Sequence, residues 1–435
     1  MIAPSPTPTP LGVIPGNPFT PSYNGTIPGA STVGPSDVGT PGNPPALIAL
    51  PANPAPSGNG PGLDASTRNK FYTFSVSLRE TYDSNVNTTQ VAESAWETSI
   101  SPSVLIALPM TNGSFTASYT FGLTYYDLND GAGTALHYSN ELLAQYAHDI
   151  SERFSLAVSE SLVDSTEPNL YAAIGTPYRN GENISNSFTA SLNSQWTPLL
   201  STTTSYANDL IFYLDTSFDA QTYVENTGTN TFNFSVLPTV TANIGGFIDE
   251  VGYGGGADRG YMNYTGFVGG QWQVLPSLSV NGRGGATLSE TDTSIGGGGS
   301  DSVAPYVALS ATWSLGARST LDFSYAHEIT PTDQIGANSQ QSDRISTTFS
   351  YQINSAFSTH LSGIYTYSTI GSSQLSSSNV PGYNENDYAF DTGATYHFQK
   401  YLDLDVDIGV SGVSSELADR DYSRDQFTCG IRGTY

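Results

Sequence analysis

Apolar and polar residues trade places with a period of two through most of this chain. Tyr72, Phe74, Val76 and Leu78 alternate with Thr73, Ser75, Ser77 and Arg79. Further on, Phe115, Ala117, Tyr119, Phe121, Leu123 and Tyr125 alternate with Thr116, Ser118, Thr120, Gly122 and Thr124. The same beat returns in Phe232–Phe234–Val236, in Val307–Leu309–Ala311–Trp313 and in Tyr388–Phe390 to Phe398. A period of two belongs to strands with one greasy and one wet face, and a long series without helical periodicity predicts an all-β chain. Counting from Lys70 gives about eighteen strands, with sixteen as the alternative because residues 206–214 and 247–253 alternate weakly. Short links fall near 109–113, 149–153, 198–201, 245–246, 276–277, 316–318, 354–357 and 399–401. Longer polar links fall near 83–93, 127–134, 164–185, 215–229, 254–260, 290–302, 328–341, 370–386 and 414–424. Such alternation predicts an antiparallel up-and-down barrel with one tight rim and one loopy rim.

Composition decides what surrounds the barrel. No apolar run approaches the roughly 20 residues of a membrane helix, so a membrane-spanning reading requires a closed barrel. Among 435 residues only Lys70 and Lys400 are lysines, and the net charge is −26. That balance excludes a nucleic-acid binder, which needs basic patches, and an acidic pore would favour cations. The single cysteine, Cys429, excludes an internal disulfide framework.

Residues 1–66 differ from the rest. Pro, Gly, Ser, Thr and Asn dominate them, as in Pro4-Ser-Pro-Thr-Pro-Thr-Pro10. They are expected to be a disordered periplasmic leader, the alternatives being a tether to the cell wall or a partner and a plug inside the barrel, with residues 70–435 forming the barrel. The start lacks the basic and apolar regions of a secretory signal, so the numbering reads as beginning near a mature end.

Leu402-Asp-Leu-Asp-Val-Asp-Ile408 is the most diagnostic short run. Asp403, Asp405 and Asp407 share one face at a spacing of roughly 7 Å, and three carboxylates in a row demand water or counter-charges. They are assigned to a hydrated lumen together with Arg79, Arg283, Arg344, Arg432, Asp322, Asp391 and His397. A cation cage on that row is disfavoured, since one strand offers a ladder and not a wrapped shell. Trp196, Trp272 and Trp313 precede short links and share the outward parity, which predicts an aromatic girdle at one membrane interface; Trp96 falls to the opposite girdle. Glu80 and Glu160 carry outward parity, which requires either a place near a rim or a bulge.

Chemistry is absent from the motifs. The histidines His137, His148, His327, His360 and His397 lack metal-ligand spacing, no Gly-x-Ser-x-Gly elbow joins a strand to a helix, and Gly296–Gly299 lacks the Lys of a phosphate loop. No enzyme and no cofactor are expected.

The last strand, Phe427-Thr-Cys-Gly-Ile-Arg-Gly-Thr-Tyr435, sets Phe427, Ile431 and Tyr435 on one face, and it resembles the closing strand of bacterial outer-membrane barrels. Ser77-Leu-Arg-Glu-Thr-Tyr-Asp-Ser-Asn-Val86 and Ser159-Glu-Ser-Leu-Val-Asp-Ser-Thr-Glu-Pro168 are similar to the beta-barrel porin 2 family. That resemblance implies a Gram-negative outer-membrane location over residues 70–435, with lipids and the barrel-assembly machinery as partners. The expectation is a pore for small polar solutes or ions with a cation bias and both termini periplasmic. The alternatives are a conduit for extracellular polysaccharide, or a structural scaffold, including a homo-oligomer, whose leader binds a neighbour.

Overall fold

The computed structural model describes residues 71–86, 88–128, 134–165, 183–214, 216–254, 260–291, 301–332, 337–371, 382–399, 401–417 and 420–435. The leader, most of the long links and the Gly296–Gly299 run lie outside the described residues. Eighteen strands, β1 (Tyr72–Asp83) to β18 (Tyr422–Thr434), form one antiparallel sheet. Each strand pairs with the next in sequence, and β1 also pairs with β18, which closes the ring. The chain is therefore a closed up-and-down barrel, a form that leaves no strand edge unpaired.

Period-two sequence explains the wall. Along β1, Tyr72, Phe74, Val76 and Leu78 are exposed outward while Ser75, Ser77, Arg79 and Asp83 are buried inward. Along β17 (Leu402–Ser415), Leu404, Val406, Ile408 and Val410 are exposed and Asp405 and Asp407 are buried. A compact water-soluble sheet would bury the first set and wet the second. This inversion is what a bilayer selects. From Tyr72 to Tyr82 the strand climbs about 33 Å at ~3.3 Å per residue. A tilt of about 40° reduces this to about 25 Å, the height of an outer-membrane apolar band.

Trp196, Trp272 and Trp313 lie exposed on the outside near the short-link rim. Trp196 Nε1 donates to Thr202 Oγ1 at 2.9 Å, and its ring meets Phe154 edge-on. Trp96 is exposed at the opposite rim, beside Tyr82 with ring centroids 5.3 Å apart. Phe427, Ile431 and Tyr435 are exposed on the outside of β18, and the Tyr435 amide donates to the Phe74 carbonyl at 2.8 Å. Glu80 and Glu160 face outward with unbroken register around them. Thr98 donates to Glu80 at 2.7 Å just below the Tyr82–Trp96 pair, and Asn186 donates to Glu160. The rim accounts for Glu80, whereas Glu160 stands mid-strand with Asn186 as its polar partner; no bulge is involved at either.

Two expected boundaries are corrected. The link assigned to 245–246 is interior strand: Gly245 and Gly246 sit within β9 (Val240–Tyr253), paired with Phe267 and Gly266. The turn falls at 238–239, where Pro238 has no amide to give a ladder. The Gly-Gly pair reads as a turn, yet a side chain at Gly245 would strike the Phe267 ring, with Cζ 2.9 Å from the Cβ position. The link assigned to 215–229 is also too long, because β8 begins at Tyr223 (Tyr223–Leu237).

Candidate functional site: the lumen wall

The interior carries two distinct walls. They are centred on β17 and β8, nine strands apart in a ring of eighteen, and so face each other across the barrel.

The first wall is a charged ladder over β15 (Phe357–Ile370), β16 (Tyr383–Gln399), β17, β18 and β1. Asp403 stands opposite Arg432 in the register, and Arg432 Nη2 donates to it at 2.8 Å. His397 Nδ1 lies 2.6 Å from the same carboxylate. One step up, Arg79 and Asp405 flank Gly430, two strands apart, and Arg79 Nη2 reaches 3.2 Å from Asp405. The reach depends on the missing side chain: a Cβ on Gly430 would lie 2.7 Å from Asp405 Oδ2 and 2.8 Å from Arg79 Cγ. Gly393 serves the next step in the same way, between Asp407 and His360. There His360 Nε2 lies 2.7 Å from Asp391 and 3.8 Å from Asp407. At the long-link end Arg424 is buried against Asp83, and Arg420 donates to Glu385 at 2.7 Å. Sequence parity does not disclose the Arg424–Asp83 pair, whose partners lie 341 residues apart.

The second wall, over β7 (Leu200–Tyr213), β8, β9 and β10 (Tyr261–Leu275), is acidic and tyrosine-lined. Asp209, Glu225 and Asp249 are buried inward, and Tyr223 and Tyr261 pack with Val251 beside them. These residues were not singled out from the sequence. Their signal was the inward parity of three acids on successive hairpin arms, obscured by the misplaced turn.

Between the walls, Arg283 on β11 (Leu278–Thr291) is buried with its guanidinium 4.5 Å over the Phe267 ring. Phe247, Phe267 and Tyr306 form a buried aromatic group there. Arg344 points inward from β14 (Gln340–Asn354), opposite Ala326 and Thr366. Asp322 faces inward on β13 (Ser319–Thr330), opposite Thr312.

The described flanks of the link between β13 and β14 fold inward. The Thr332 amide donates to Tyr253 Oη at 2.9 Å, and Tyr253 Oη donates to the Asn338 carbonyl at 3.0 Å. Ala337 packs with Ile370, Tyr383 and Leu417 on the other side. These flanks therefore touch the end of β9 on one side and Leu417, just past β17, on the other. Among the described residues no group of three or more His, Cys, Asp or Glu side chains converges on a metal position.

No family model and no curated protein matches the chain. The chain is similar to several solved structures. OccK1 (OpdK) of Pseudomonas aeruginosa has 11% identity and a TM-score of 0.43, over 84% of this chain and 99% of that one. OccAB4 of Acinetobacter baumannii has 11% identity and a TM-score of 0.38, over 85% and 100%. The P. aeruginosa siderophore receptor PirA has 9% identity and a TM-score of 0.38, over 84% and 80%.

Proposed function

We propose that the chain is an outer-membrane pore for the passive passage of small polar solutes or ions, favouring cations. One observation carries the reading: the wall turned inward is polar and its carboxylates outnumber its guanidiniums. Asp209, Glu225, Asp249, Asp322, Asp391, Asp403, Asp405 and Asp407 face Arg79, Arg283, Arg344 and Arg432. Barrels of this strand number leave an aqueous passage unless a segment fills it, and an acidic lining raises the local concentration of cations.

The same proposal sets the short-link rim and both termini in the periplasm of a Gram-negative envelope, with residues 1–66 as a leader there. Outer-membrane lipids would cover the apolar belt, and the barrel-assembly machinery would read the terminal strand ending at Tyr435. The similarity of Ser77–Val86 to the beta-barrel porin 2 family favours this reading.

The test is reconstitution of the refolded barrel in planar bilayers. Stepwise conductance with a reversal potential of cation sign in a KCl gradient is expected. Absent conductance or an anion-signed potential refutes the proposal.

A further inference from the structure

Asp209, Glu225 and Asp249 stand on three consecutive strands near the long-link mouth. Asp209 is directly opposite Glu225 in the β7–β8 register, and Glu225 stands diagonally across from Asp249 in the β8–β9 register. The three side chains belong to residues only 2%, 6% and 3% exposed. Among the described residues none of the three makes an ion pair. Asp249 accepts from Asn263 Nδ2 at 3.1 Å and from Thr227 Oγ1 at 3.3 Å. Among the described residues Ser187, directly opposite Asp209 across the β6–β7 ladder, is the one neutral group that offers it a hydrogen bond. The Tyr261 hydroxyl, on a side chain buried among the same residues, lacks a partner.

Three neighbouring carboxylates in so sheltered a place call for positive charge beside them. A bare metal ion suits the site poorly. No three acidic side chains converge on one point, and small hard cations give up their water reluctantly. The acids instead form a row across three strands, about 10 Å wide at the usual strand spacing. Tyrosine rings border that row. Spread carboxylates beside aromatic faces match nitrogen cations held apart on a carbon frame, whose separate charges meet separate carboxylates while their heads gain from the rings.

We propose that this row is a binding station for solutes bearing primary ammonium or guanidinium groups. It specifies the solute class of the pore proposed above and rests on that reading for passage, though not for binding.

The probes are 1,4-diaminobutane and Mg²⁺, equal in charge and different in frame, applied to the refolded full chain. Binding is measured by titration calorimetry in detergent and block by current reduction in bilayers. Diaminobutane is expected to bind and block at concentrations at least tenfold below those of Mg²⁺. The isosteric pair Asp209→Asn and Glu225→Gln is expected to weaken diaminobutane at least tenfold while the barrel keeps its unheated gel mobility. Asp403→Asn, on the opposite wall, is expected to leave diaminobutane binding unchanged. Equal potency of Mg²⁺ and the diamine, or no change in the isosteric variants, overturns the proposal in favour of diffuse charge. Diamine binding by a barrel without conductance removes the pore and keeps the station; conductance indifferent to the diamine does the reverse.

Discussion

Replacing Arg424 with Met removes one side of the ion pair that locks the seam between β18 and β1. Arg424 Nε donates to Asp83 Oδ2 at 2.6 Å, and the two side chains are 1% and 0% exposed. Met preserves most of the apolar volume of the arginine stem, so charge is the main loss. Asp83 would keep two neutral donors, the Asn85 amide at 2.8 Å and Gln426 Nε2 at 3.1 Å. Breaking a buried pair from one side costs about 3–5 kcal/mol, and the two surviving donors place this case near 3. That is about a 150-fold change in the unfolding equilibrium. The double variant Asp83→Asn/Arg424→Met leaves no uncompensated charge and should lose about 1 kcal/mol or less. Urea unfolding of the refolded barrel in detergent measures both, followed by the fluorescence of the four lipid-facing tryptophans and by gel mobility without heating. A single variant within 1 kcal/mol of the parent, or a double variant as costly as the two singles added, refutes the argument.

Three further outcomes are expected. Gly430→Val should push Arg79 away from Asp405 and cost about 3 kcal/mol in the same urea titration, whereas Gly228→Ala, outward on β8 where a Cβ meets nothing within 4 Å, leaves that pair intact. Val268→Arg puts a charge on the bare outer face of β10 and should cost about 2–4 kcal/mol, as read from the urea midpoint in lipid vesicles. Tyr253→Phe deletes the hydroxyl that holds both flanks of the β13–β14 link, and single-channel records should show added open–closed flicker with the fold unchanged by circular dichroism.

The wall was legible in the sequence because lipid and water enforce period two on almost every strand. Tyr72–Leu78 and Leu402–Ile408 declare their faces without any knowledge of neighbours. The misreading arose where side chains vanish: Gly245-Gly246 offers no alternation to follow, and only the close approach of the Asn230 carbonyl and the Phe267 ring explains why glycine is there. The start of β8 was lost for a related reason. Tyr223, Glu225 and Thr227 point inward, and Asn226 and Gly228 point out, so the outer face there is not apolar. The acid row was illegible for that reason too, since its three members come together only once the 238–239 turn is placed. The Arg79–Asp405 contact needs a register across two strands, which no local pattern encodes.

Every strand except β1 and β18 finds both its neighbours next to it along the chain. Only β1 and β18 must meet across the full length of the barrel segment, and bringing such distant ends together costs about 5 kcal/mol of chain entropy. Hairpins can therefore zip in sequence while the last join waits. That join is repaid by the Ser75–Asp83 ladder and by the Arg424–Asp83 clasp at its far end. Under lateral tension the cylinder should part along this line first, opening a slit to the surrounding acyl chains while the other seventeen junctions hold.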